Sequence, residues 1–166
     1  MSASTIGRVD NEDQPEPLSP TCILAVMALR YAQWGWLTRL AGDRLLLTTD
    51  DRISAVELPS ALGSVVQHFL RIRMLAGPAV RLPGKPSRWL LLTQSAQAAT
   101  PVGLAQLHDC GAVTHSGGTL VPLPPSRLET GVASWQVPPA MDGPSLPPFS
   151  AVVAAIRTTT ETAGLR

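Results

Sequence analysis

Apolar positions along the chain recur at helical spacing in four stretches and at strand-like spacing in several shorter ones. Ser19-Pro20 opens the first helix, with Ser as cap and Pro in the first turn. The run Cys22, Ile23, Leu24, Val26, Met27, Leu29, Tyr31 is apolar on nearly every side, which predicts a mostly buried helix stopped at Gly35. Short strands follow at Trp36–Leu40, Arg44–Thr48 and Ile53–Leu58, joined by turns at Gly42-Asp43 and Thr49–Arg52. From Ser60 to Leu75 the period turns helical, with Leu62, Val65, Val66, Phe69, Leu70 and Met74 on one face, ended by Gly77-Pro78. Ala79–Leu82 and Arg88–Thr93 read as strands around the loop Pro83–Ser87.

Thr100-Pro101 opens a third helix by the same cap-plus-proline rule, and Gly111 closes it. Val113-Thr114 is a short strand, with His115 in the loop that follows. Thr119–Val121 is a strand stopped by Pro122, Ser134–Val137 another, and Pro147–Thr160 the last helix. Residues 1–18 are polar, small and aperiodic, so a flexible tail is expected ahead of a single domain over 19–166. Several strands follow one another through tight turns between helices. The fold class expected is α+β, a mixed but mainly antiparallel sheet with packed helices.

Composition narrows this little and charge narrows it more. With 16 prolines and 13 glycines in 166 residues, a long helical bundle is excluded. Thirteen bases against 12 acids exclude a strongly basic or acidic binder. The distribution is uneven: Asp10, Glu12, Asp13 and Glu16 face only Arg8 in the first 20 residues. Between Glu57 and Asp109 there is no acid at all, while Arg71, Arg73, Arg81, Lys85 and Arg88 fall inside that window. A one-sided window suits a phosphate-bearing partner, or it is a solvated basic face. Cys22 and Cys110 have no metal-ligand or redox spacing and are expected as buried thiols. A polar, acidic start and no 18-residue apolar run point to a cytoplasmic protein with no membrane partner.

Common catalytic arrangements are missing from the sequence. There is no GxSxG, P-loop or GxGxxG, and His68, His108 and His115 form no close pair. Asp50-Asp51 sits in a turn, where Asp bonds its own backbone. His115 is the most site-like of the three histidines.

One segment carries more. Gly117-Gly118-Thr119-Leu120-Val121-Pro122-Leu123-Pro124-Pro125-Ser126, then Gly131 and Trp135-Gln136-Val137-Pro138-Pro139, resembles the N-terminal domain of bifunctional DNA primase/polymerases, within the archaeo-eukaryotic primase superfamily. The opening helix leading into Trp34-Gly35-Trp36, the strand Ile53–Pro59 and the loop and strand Pro83–Leu92 resemble its order in short actinobacterial members. The resemblance implies two acids one residue apart on the third strand, a nucleotide-contacting His on the second motif, and a third acid before the Pro-Pro-Ser strand. Here the first motif is Glu57-Leu58-Pro59, the second is Pro83–Trp89 without His, and Gly111–Gly118 holds no acid.

What the resemblance implies is thus a degenerate, non-catalytic domain with a vestigial Glu57, because one carboxylate cannot hold two divalent cations. The residues it assigns to nucleic acid or nucleotide phosphate are Arg81, Lys85, Arg88, Trp89, His115, Ser126 and Arg127. Single-stranded or primed DNA, or a nucleotide, is the expected partner, and no cofactor is expected. Two alternatives stand beside it. One is an active polymerase using Mg²⁺ or Mn²⁺, with Glu57 joined by Asp50, Asp51 or Asp109. The other is a protein-interaction scaffold with an exposed patch around Trp34, Trp36 and Trp135.

Overall fold

Capping chemistry sets the first boundary. Ser19 Oγ accepts from the Cys22 backbone N–H at 3.3 Å and Pro20 fills the first turn, so α1 spans Pro20–Gln33. Gly35, at φ 74°, turns the chain out of it. The computed structural model describes residues 17–164, so nearly all of the tail expected over 1–18, with its four acids, lies outside the described residues. The elements that follow are β1 (Thr38–Ala41), β2 (Arg44–Thr48), β3 (Ile53–Pro59), α2 (Ser60–Ile72), β4 (Ala79–Leu82), β5 (Arg88–Gln94) and α3 (Pro101–Asp109). Then come β6 (Val113–His115), β7 (Leu120–Leu123), β8 (Arg127–Leu128), β9 (Gly131–Val132), β10 (Ser134–Val137) and α4 (Phe149–Thr162).

Five strands form the main sheet in the order β10-β4-β5-β3-β6, and β1-β2-β7 form a second sheet. Every paired strand is antiparallel, and the α+β architecture is the one the alternating elements predicted. β3 is buried nearly throughout because both faces of the main sheet are covered. Its odd positions, Ile53 and Ala55, enter a core shared with α1 and the second sheet through Leu24, Tyr31, Leu45 and Leu47. Its even positions, Val56 and Leu58, enter a core shared with α2, α3 and α4 through Val66, Leu70, Leu107 and Ile156. At roughly 25 cal/mol per Å² of apolar surface, these two cores supply the main favourable term for folding.

Several expectations change. α1 is not mostly buried: only Leu24 and Tyr31 are enclosed, while Ile23, Val26 and Leu29 face outward. It packs on one side of a small sheet, so one stripe suffices. Cys22 is accordingly exposed and Cys110 half-buried; neither is a sealed core thiol. In α2 the enclosed stripe is Gly63, Val66, Gln67 and Leu70, whereas Val65 is exposed and Met74 lies beyond the helix end. Pro122 does not stop its strand; it pairs with Leu46 inside β7, whose place at the sheet edge tolerates a missing N–H. His115 belongs to β6 rather than a loop. The tryptophans form no surface patch. Trp36 is buried, and Trp34 and Trp135 pack around Tyr31 with ring centroids 5.7 and 6.2 Å away. The hairpin β8–β9 carries no pattern long enough to predict.

Candidate functional site

β3 is flanked by β5 and β6, and that placement builds the site. The alternation that sends Ile53 and Ala55 toward α1 puts Glu57 on the same face, near the Pro59 end of the strand. In β5, Arg88 pairs with Pro59; in β6, His115 pairs with Ala55. Each is therefore a diagonal, same-face neighbour of Glu57, one from either side, within reach of a long side chain. The guanidinium Nε of Arg88 donates to Glu57 Oε1 in a short, direct ion pair. Its Nη2 donates to the Gly111 carbonyl at 2.9 Å and more weakly to the Glu57 carbonyl at 3.4 Å. On the other side His115 Nε2 lies 2.9 Å from Glu57 Oε2.

Both carboxylate oxygens are thus engaged. The side chains of Glu57, Arg88 and His115 retain 20, 28 and 19% of their exposure, so the cluster is half-buried. The hydrogen bond from His115, then the Arg88 bond and charge, hold the Glu57 carboxyl below its ordinary range, against a burial effect that acts upward. Glu57 is an anion clasped between two basic side chains. A divalent cation pair of the kind the sequence resemblance calls for does not fit these residues: it would have to displace Arg88 and His115 to gain one carboxylate. Among the described residues, no group of three or more His, Cys, Asp or Glu side chains is gathered where it could hold a metal ion. Asp50 does not join Glu57. It precedes β3 at the Ile53 end, where its Oδ1 accepts from the N–H groups of Arg52 and Ile53 at 2.8 and 2.9 Å.

The remaining residues singled out in the sequence do not converge on this cluster. Trp89 is next to Arg88 in β5 and so projects to the opposite face, where its indole packs under α2. Arg81 pairs with Trp89 across β4–β5 and shares that face, exposed. Lys85 is exposed in the loop between β4 and β5. Arg127 is exposed in β8 and lines a separate concavity with Pro20 and Asp43.

Ser126 is a correction to the ligand-binding assignment. It is fully buried, its Oγ accepting from Leu45 N–H at 2.8 Å and lying 2.9 and 2.6 Å from the carbonyl oxygens of Leu45 and Leu123. It joins two strands, its one proton is donated within the core, and its complete burial leaves no path for a ligand.

The Arg88–Glu57 pairing was absent from the sequence reading, though a signal existed. Glu57 and Arg88 are the only charges in two otherwise apolar or neutral strands, and half-buried charges need partners. Gln67, His68, Arg71 and Gln136 border a second groove; Arg71 lies in the acid-free window, but no sequence pattern brings the four together. The chain matches no family model, no curated protein and no solved structure. Among the described residues, no helix is long and apolar enough to cross a membrane.

Proposed function

We propose that this chain is a non-catalytic binding domain for nucleoside phosphates, free or within a single nucleic-acid strand, arranged like a DNA primase/polymerase domain that has exchanged its metal ligands for an internal ion-pair clasp. The observation that carries the reading is the engagement of both Glu57 oxygens by Arg88 and His115. At this position the resemblance calls for a metal-holding carboxylate, and here a guanidinium and an imidazole occupy its two oxygens instead. Nucleotidyl transfer needs charge neutralisation by ions that hold the incoming phosphates, and a guanidinium already paired with a carboxylate supplies little of it. Binding needs less: unpaired arginines facing phosphates suffice.

Support for binding comes from the acid-free window. Among the described residues the arginine and lysine side chains make two ion pairs, Arg52–Asp50 and Arg88–Glu57. Arg71, Arg81 and Lys85 have no acidic partner there. Two measurements test the reading together. Nucleotide incorporation on a primed template with Mn²⁺ should stay at the level of a no-protein control. Anisotropy of a labelled single-stranded oligonucleotide should report binding that weakens as salt rises. Incorporation that disappears in Glu57→Ala overturns the non-catalytic half, and absence of binding at low salt overturns the other.

A further inference from the structure

We infer that the nucleoside phosphate docks not at the Glu57 clasp but in the groove on the opposite face of the main sheet, between α2 and β10. This rests on the reading above and assigns it a place. The groove has a volume of about 560 Å³ and is bordered by His68 and Arg71 from α2, Trp89 from β5 and Gln136 from β10. That is within the size range of small-ligand sites and ample for one nucleotide.

Three features suit that ligand. The first is charge. Arg71 has no acidic partner among the described residues, and its Nη2 donates to His68 Nδ1 at 2.9 Å. A guanidinium only donates, so His68 Nδ1 must accept, which leaves the neutral ring's N–H at Nε2. That hydrogen bond holds both side chains at the rim, where the remaining guanidinium N–H groups of Arg71 and the His68 Nε2–H face the groove's anion. Phosphate is the anion that a guanidinium fork recognises best.

The second feature is a buried acceptor. Gln67 is only 7% exposed, and its Nε2 donates to the Gly77 carbonyl at 2.7 Å, which fixes the amide's orientation. Among the described residues its Oε1 has no donor, and no sealed side-chain polar atom is left without a partner. Oε1 is therefore not sealed, and the groove that Gln67 lines is where a ligand N–H can reach it. The third feature is the half-buried Trp89 indole, an apolar surface of the kind a nucleobase covers. A phosphate at the rim, an N–H acceptor within and an apolar wall match a nucleoside monophosphate unit better than a simple anion or an apolar ligand.

The test uses the full chain. Calorimetry compares AMP, adenosine and inorganic phosphate, and anisotropy follows a labelled oligonucleotide. Arg71→Glu, at an exposed helical position, is compared with Arg39→Glu, the same charge change in the exposed strand β1 on the second sheet. Both are checked for native urea midpoints. The expected result is that AMP or the oligonucleotide binds, and that Arg71→Glu weakens it about tenfold or more while Arg39→Glu changes it less than about twofold. AMP binding alone identifies a free nucleotide; oligonucleotide binding alone identifies a unit within a strand. Binding that Arg71→Glu leaves intact overturns the groove and spares the broader reading. Binding of inorganic phosphate as tight as AMP overturns the nucleoside. Absence of all binding overturns both.

Discussion

Replacing Arg88 with Ala removes one jaw of the Glu57 clasp and shows how much of the fold depends on it. Three contacts go: the ion pair to Glu57 Oε1, the 2.9 Å bond to the Gly111 carbonyl and the weaker 3.4 Å bond to the Glu57 carbonyl. A hydrogen bond to a charged group contributes about 1.5–3 kcal/mol and a neutral acceptor about 1. Both ion-pair partners keep over a fifth of their exposure or close to it, so water reaches Glu57 once Arg88 is gone. Screening therefore trims the first term to about 1 kcal/mol. The total expected is about 2 kcal/mol, and Arg88→Lys, which cannot span both acceptors, loses about half. With a urea slope of about 2 kcal/mol per M, the midpoint falls by about 1 M at unchanged slope. The double variant with Glu57→Gln should reveal a coupling of about 1 kcal/mol. An Arg88→Ala midpoint within about 0.25 M of wild type, or additive single effects, would refute the clasp as a source of stability.

Further consequences follow from the same contacts. Because its folded-state carboxyl titrates below the ordinary value, Glu57 stabilises the fold above the ordinary carboxylate range, and that contribution is lost as pH falls through the lowered value. The stability gap between wild type and Glu57→Gln should therefore narrow on acidification, and a gap that widens contradicts the direction. Ser126→Ala strands the Leu45 N–H and should cost about 1–3 kcal/mol in urea unfolding without changing oligonucleotide binding. At Gly63 an added Cβ would stand 2.9 Å from Trp89 Cβ, an atom fixed to the backbone. Gly63→Ala should thus destabilise by about 1 kcal/mol, even though Ala is the better helix former; a gain in melting temperature would show that α2 can lift off β5.

Element order was readable because the signals were local. Ser19-Pro20 and Thr100-Pro101 cap helices as their chemistry requires, and the Asp50 turn closes on its own backbone. What failed was everything that depends on a partner element. Whether α1 shows one stripe or all its sides to the core is decided by how small its opposing sheet is, and no periodicity reports that. Pro122 reads as a strand stop until β7 proves to be an edge. The site divides the same way. Glu57, Arg88 and His115 were each singled out, but their meeting depends on β3 lying between β5 and β6, a register that sequence spacing does not encode. Arg88 and Trp89 were both assigned to the ligand, whereas strand alternation sends these adjacent residues to opposite faces. The acid-free window survives as a physical feature, now divided between Arg88, neutralised at the clasp, and Arg71 and Arg81, which have no acidic partner among the described residues.

The central claim, binding of nucleoside phosphates without catalysis, is tested most directly by the salt dependence of a labelled single-stranded oligonucleotide binding to the wild-type chain. Between about 50 and 200 mM salt, the logarithm of the association constant should fall linearly with that of the salt concentration, by about 0.7 per phosphate contacted. With Mn²⁺ and nucleotides added, the bound strand should stay at its original length. A flat or undetectable signal at low salt, or a strand that lengthens, would contradict the account.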